Sequence, residues 1–162
     1  MRRSLAAAAL AGVVALSGAA NAQTIDKREF NVVGTWNFLT NYNVLEKPFF
    51  TETLPKASNG NLKGNVKALN ELNLKGTELL RLLKQGVFDM AFALPIYVED
   101  GGAIIEALDI AGVARNYDMA RDISKIWLPE MQKVMKEKHG AIILGTHTWP
   151  EQDFYCKGDI KG

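Results

Sequence analysis

Leu79-Leu80-Arg81-Leu82-Leu83-Lys84-Gln85-Gly86-Val87-Phe88-Asp89-Met90-Ala91-Phe92-Ala93-Leu94-Pro95 decides the fold class. Leu79, Leu80, Leu82 and Leu83 make the apolar stripe of an amphipathic helix, and Gly86 stands where a left-handed C-terminal cap is favoured. Val87 to Leu94 then has the near-continuous apolar character of a buried strand, with Asp89 as its exception and Pro95 as its end. A helix that turns on a glycine into a buried strand is half of a parallel crossover unit.

The residues before it supply the other half. Phe30-Asn31-Val32-Val33-Gly34-Thr35-Trp36 reads as a strand leaving its sheet into the turn-prone stretch Asn37 to Asn43. A helix follows, with Val44, Leu45, Phe49 and Leu54 as its inward stripe, a late start or kink at Pro48, and a stop at Asn59-Gly60. From Leu62 to Leu69 the alternation of Leu62, Gly64, Val66 and Ala68 with Lys63, Asn65 and Lys67 predicts a strand with one solvated face. Strand, helix, strand, helix, strand with short links is the order that builds an α/β fold, a mostly parallel sheet flanked by helices.

Further along, residues 97–113 read as a loop with short helical or extended pieces. Asn116 or Asp118 caps a long helix with an inward stripe of Met119, Ile123, Ile126, Trp127, Met131 and Val134, bent at Pro129 and ending at His139-Gly140. Ala141 to Thr146 and Asp153 to Cys156 are two more strand candidates.

Met1 to Ala22 has a different character. Arg2 and Arg3, an uncharged run from Leu5 to Ala20 and Ala20-Asn21-Ala22 form the pattern of a signal peptide cleaved after Ala22. The run is too short and too rich in Ala and Gly for a lasting membrane anchor, so the expected product is exported and spans 23–162. It is long enough for one domain with an ordinary core, 48% of the whole chain being hydrophobic. The whole chain carries 19 basic and 18 acidic residues, and loss of Arg2 and Arg3 leaves it near neutral. A nucleic-acid binder needs clustered Lys and Arg to displace counterions, so that class is set aside. Cys156 is the only cysteine and reads as a buried structural thiol.

Catalytic signatures are missing: there is no His-Glu-x-x-His, Gly-x-Ser-x-Gly, paired cysteine or glycine-rich phosphate loop. No metal or cofactor is implied, and the chain reads as a binding protein rather than an enzyme. His139 reads as structural at a helix end, whereas His147 follows a candidate strand. Glu71 with Asp89, and Cys156 with His147, are the weak enzymatic alternatives. The polar and aromatic residues at the predicted strand ends carry more weight, because α/β crevices form there. Trp36, Asn37, Glu71, Tyr97, Trp149 and Gln152 are the candidate ligand-binding residues. For each Trp alone, half-buried packing explains its presence equally well; their shared position favours a site.

Gly60-Asn61-Leu62-Lys63, Asn70-Glu71-Leu72-Asn73-Leu74-Lys75-Gly76, the helix from Leu79 to Gly86 with Asp89-Met90, and Leu108-Asp109-Ile110-Ala111-Gly112-Val113 together carry a family likeness. In order and spacing they resemble the extracytoplasmic solute-binding proteins of tripartite ATP-independent periplasmic (TRAP) transporters, of the dicarboxylate-binding type. The resemblance implies a periplasmic-binding-protein-like lobe of type II. It implies a periplasmic protein that closes around a small organic acid and hands it to membrane permease subunits. It also implies that 23–162 is the first lobe of a longer, two-lobed chain. In that family an Arg in a Lys-Gly-x-Lys-x-Arg-like segment holds the ligand carboxylate, and Gly158 to Gly162 corresponds to the approach to it. A second family Arg is replaced here by Gln152 or a neighbour, which favours a less acidic ligand or neutral donors. The alternatives are another exported ligand-binding module, from a sensor or a different transporter class, and a periplasmic enzyme using Glu71 or His147.

Overall fold

The computed structural model describes residues 25–98, 103–107, 110, 112–149 and 157–158. The expected signal peptide, Gln152, Cys156 and the strand expected over 153–156 lie outside these residues.

The chain folds as an α/β protein around a three-stranded parallel sheet of order β2-β1-β3. β1 is Arg28–Gly34, β2 is Leu62–Ala68 and β3 is Met90–Ala91. β1 runs in register with β2, Val32 opposite Val66 and Gly34 opposite Ala68, and meets β3 at Val32–Met90 and Val33–Ala91. The first crossover goes to one side of β1 and the second returns past it to the other, so their helices cover opposite faces. Val32 turns toward Tyr42, Phe50, Val66 and Ala68. Val33 turns the other way, toward Leu69 and Leu79.

The first crossover is helical from 40 to 57. It contains two wide π turns, Tyr42–Glu46 and Phe49–Thr53, before the final turn α1, Leu54–Ala57. The inward stripe is therefore not the expected one: Tyr42, Glu46 and Phe50 are buried while Val44, Leu45 and Phe49 are exposed. An i→i+5 turn widens the helical repeat, so residues at a strict spacing of four (Tyr42, Glu46, Phe50, Leu54) share one face.

The second crossover runs through a short 3-10 turn, Gly76–Glu78, into α2, Leu79–Lys84. Gly86 ends it with φ of 73°, a conformation costly for any residue with a Cβ. The strand expected from Val87 to Leu94 is largely cut back. Only Met90–Ala91 forms a ladder, flanked by bonds from the Asp89 N–H to Asn31 O and from the Phe92 N–H to Val33 O. Val87 is exposed, and Pro95 opens a 3-10 turn, Pro95–Tyr97.

α3, Ala103–Glu106, is one of the short pieces expected in that region. α4, Tyr117–Val134, is capped by Asn116, whose side-chain oxygen accepts the Met119 N–H at 2.9 Å. It continues through the wide turn Met135–His139 to a left-handed Gly140. Its fully buried contacts lie toward the C-terminal end: Met131 and Met135 are buried beside Leu80, Val98 and Ile105. Of the expected stripe, Met119 and Ile126 are exposed, Ile126 by 74%, while Ile123 is half-buried. Ala141 to Thr146 is not a sheet strand either. The Ile143 N–H donates to Gln132 Oε1 at 2.8 Å, Ala141 and Ile143 lean on the α4 cluster, and Ile142 and Leu144 face outward. Its backbone and apolar contacts go to the helix, leaving no ladder. Among the described residues no helix is long and apolar enough to cross a membrane.

Candidate functional site

β1 and β2 run parallel and end together, so their following loops meet at one edge. In a 2-1-3 sheet the crevice outside the strand C-termini, at the β1/β3 switch point, is where ligands bind. Thr35-Trp36-Asn37 leaves β1 there, Leu69-Asn70-Glu71 leaves β2, and Pro95–Tyr97 follows β3.

Asn37 and Glu71, expected as site residues, are brought into direct contact. Asn37 Nδ2 donates to Glu71 Oε1 at 3.2 Å, and the Asn37 N–H donates to Asn70 Oδ1 at 3.1 Å. Asn70 Nδ2 returns a bond to Asn37 Oδ1 at 2.8 Å, and Asn43 Nδ2 caps the Asn37 carbonyl at 2.7 Å. The second Glu71 oxygen accepts the Ala68 N–H at 3.0 Å. This backbone bond first, and the Asn37 amide second, hold the Glu71 carboxyl below its usual range.

Trp36 and Trp149 also meet, edge to face, with ring centroids 6.1 Å apart at 83°. Such a pair is favourable by about 0.5–1.5 kcal/mol beyond area burial. Trp149 reaches this place although the strand expected before it does not form. Tyr97 is half-buried against the Val33–Leu69–Leu79 cluster, as is Trp36, and burial pushes its phenol up. Gln152 lies outside the described residues.

Glu71 and Asp89 are not brought together, and the pairing of Cys156 with His147 involves a residue outside the described ones. Asp89 bonds Arg28 and the Asn31 N–H near the start of β1, while Glu71 bonds the end of β2. In parallel strands those are opposite ends of the sheet. His147 is exposed and lies against the Phe92 ring, centroids 6.4 Å apart.

No family model, curated protein or solved structure matches this chain significantly. The site is thus read from its own chemistry. Amide donors and acceptors, three aromatic rings and one ionised carboxylate converge on an open edge. Two shallow hollows of about 250 and 270 Å³ lie elsewhere, one at the opposite strand ends around Arg28 and Lys63, the other beside Asn31, Asn65 and Phe88. Among the described residues no cluster of His, Cys, Asp and Glu is arranged to hold a metal.

Sequence reading missed two residues beneath this edge, Glu46 and Tyr42. Glu46, 4% exposed, takes the Thr35 N–H on Oε2 at 2.7 Å and the Thr35 hydroxyl on Oε1 at 2.8 Å. Tyr42 lies beside both acids: burial first, then the Glu71 and Glu46 carboxylates, push its phenol up, with the Ala68 N–H opposing. An acid in a helix reads by default as solvated. The signal available was the four-residue spacing from Tyr42 to Leu54.

A pH prediction arises here. Because the folded-state pKa of Glu71 is depressed, its contribution to stability is present above the ordinary carboxyl value of 4.5 and is lost as pH falls through the lower folded value. Glu71→Gln should therefore flatten part of the acid limb of a stability-against-pH curve by lowering stability at neutral pH, while leaving stability at low pH little changed. Asp89, also depressed, by the Asn31 N–H and then by Arg28, adds to the same slope. Denaturant melts at pH 3 to 7 check this; an unchanged acid limb would exclude the bonded carboxylate.

Proposed function

We propose that this chain is the substrate-binding component of a TRAP-type transporter, exported to the periplasm with removal of residues 1–22. It captures a small organic acid and delivers it to membrane permease subunits. On this reading residues 23–162 form the first, type II lobe of a two-lobed binding protein, and the ligand lies against the loops after β1, β2 and β3.

The observation that carries the reading is the convergence of Trp36, Trp149 and the Asn37–Asn70–Glu71 amide cage on the C-terminal edge of parallel strands. Aromatic walls with few, fixed polar groups are the make-up of small-ligand sites. The sequence resemblance is the second support. The ionised Glu71 disfavours a second carboxylate close by, which fits a ligand with one acid group and a hydroxyl or keto group presented to the amides.

The test is thermal unfolding of the full chain with pyruvate, lactate and benzoate as representative keto, hydroxy and aromatic acids. At least one is expected to raise the unfolding midpoint in a concentration-dependent way. Trp36→Ala should reduce the apparent affinity about tenfold or more, the loss of one good aromatic contact. Equal stabilisation of the wild type and Trp36→Ala would remove Trp36 from the site.

A further inference from the structure

We infer that Glu46 is the positioning residue of this site: it fixes the loop carrying Trp36 and Asn37, without itself being a ligand contact. The inference rests on the proposed binding site, whose substrate class it leaves unchanged.

Both oxygens of Glu46 are directed at a single residue. Thr35, 6% exposed, gives its N–H to Oε2 at 2.7 Å and its hydroxyl to Oε1 at 2.8 Å. Thr35 is the last residue before Trp36, so a two-point bond on it sets the direction in which β1 leaves the sheet. Gly34 makes the approach possible: a Cβ there would lie 2.7 Å from the Tyr42 ring and 2.9 Å from Glu46 Oε2, too close to accommodate without displacement.

The base of this clamp is firm. Tyr42 and Phe50, four residues before and after Glu46, are buried in the cluster formed with Val32, Val66 and Ala68. The loop it holds is then fixed on the β2 side by Asn70 and Glu71 and on the far side by Trp149. Stability alone does not call for a carboxyl at so buried a position, since desolvation is costly and an apolar residue of similar volume commonly does as well or better. What an apolar residue lacks is direction. Recognition groups held to within a fraction of an ångström need a supporting bond of this kind beneath them.

The experiment uses the exciton couplet that two indoles in contact give in far-UV circular dichroism, measured on the full chain. Trp149→Phe should abolish the couplet and so assign it to the Trp36–Trp149 pair. Glu46→Leu should keep the helix and sheet signal but lose the couplet, and weaken binding of whichever of pyruvate, lactate or benzoate stabilises the wild type. Glu46→Gln should restore both, because its amide oxygen accepts the Thr35 N–H and its NH2 donates to the Thr35 hydroxyl. A couplet of wild-type amplitude in Glu46→Leu would overturn the inference. Should Glu46→Leu fail to fold, Thr35→Val decides: a reduced couplet in a folded protein supports the clamp, and an unchanged one overturns it. Loss of the couplet in Glu46→Leu, with none of the three acids stabilising the wild type, would support the clamp and remove the organic-acid reading.

Discussion

Tyr42→Ala is expected to lose about 3–5 kcal/mol of folding stability, the range for truncating a buried aromatic residue. Tyr42 is 2% exposed and lies at the centre of the cluster between the sheet and helical segment 40–57. Its ring packs where Gly34 has no side chain, so its removal opens a cavity that β1 cannot fill. The loss should exceed simple transfer of the ring, because Glu46 and the end of β1 lean on the same space. Tyr42→Phe separates the parts: it keeps the ring, removes the hydroxyl beside the Ala68 N–H and Glu71, and should cost only about 1 kcal/mol. Urea denaturation of the two variants checks the contrast. Similar losses in both would place the energy in the hydroxyl and not in packing.

Leu79→Ala should cost about 3 kcal/mol, within the 2–5 kcal/mol typical of fully buried Leu to Ala changes. Leu79 is 0% exposed and joins Val33 and Leu69 on the other face of the sheet, opposite the Tyr42 cluster. Against a total stability of 5–15 kcal/mol for ordinary domains, either substitution removes a large share. The two should nearly add, since β1 separates their clusters and no residue belongs to both. Leu79→Ala has a second expected effect, because Trp36 and Tyr97 rest on its cluster. The surviving folded protein should show reduced stabilisation by an acid ligand, while Ile126→Ala, on an exposed face of α4, should change neither stability nor binding appreciably.

The parallel sheet was legible because β1 and β2 carry clean signals: a β-branched run in one, strict alternation in the other. The helix after β1 was legible as a helix but not in its facing, since a 3.6-residue period is the wrong ruler for a segment built on π turns. Apolar runs such as Val87–Leu94 and Ala141–Thr146 have no period, and nothing in them says whether a sheet partner or a neighbouring helix takes their backbone bonds. For Ile143 a Gln132 side chain does so. The meeting of Asn37 with Glu71 was legible from the order of β1 and β2, whereas that of Trp36 with Trp149 was not, because the strand expected before Trp149 does not form. Glu46 was not, because its role depends on a long-range approach that only Gly34 permits.

An organic acid bound at the edge marked by Trp36 and Trp149, as proposed, must perturb both indoles. Three Trp residues give three indole N–H signals in a ¹⁵N-correlated NMR spectrum, and Trp127 serves as the internal reference, packed in the α4 cluster and not with the Trp36–Trp149 pair. The measurement is a titration of the full chain with the stabilising acid while those three signals are followed. Trp36 and Trp149 are expected to shift together and saturate at one affinity while Trp127 stays still. Saturating binding with Trp36 and Trp149 unmoved, or with Trp127 alone responding, would contradict that placement.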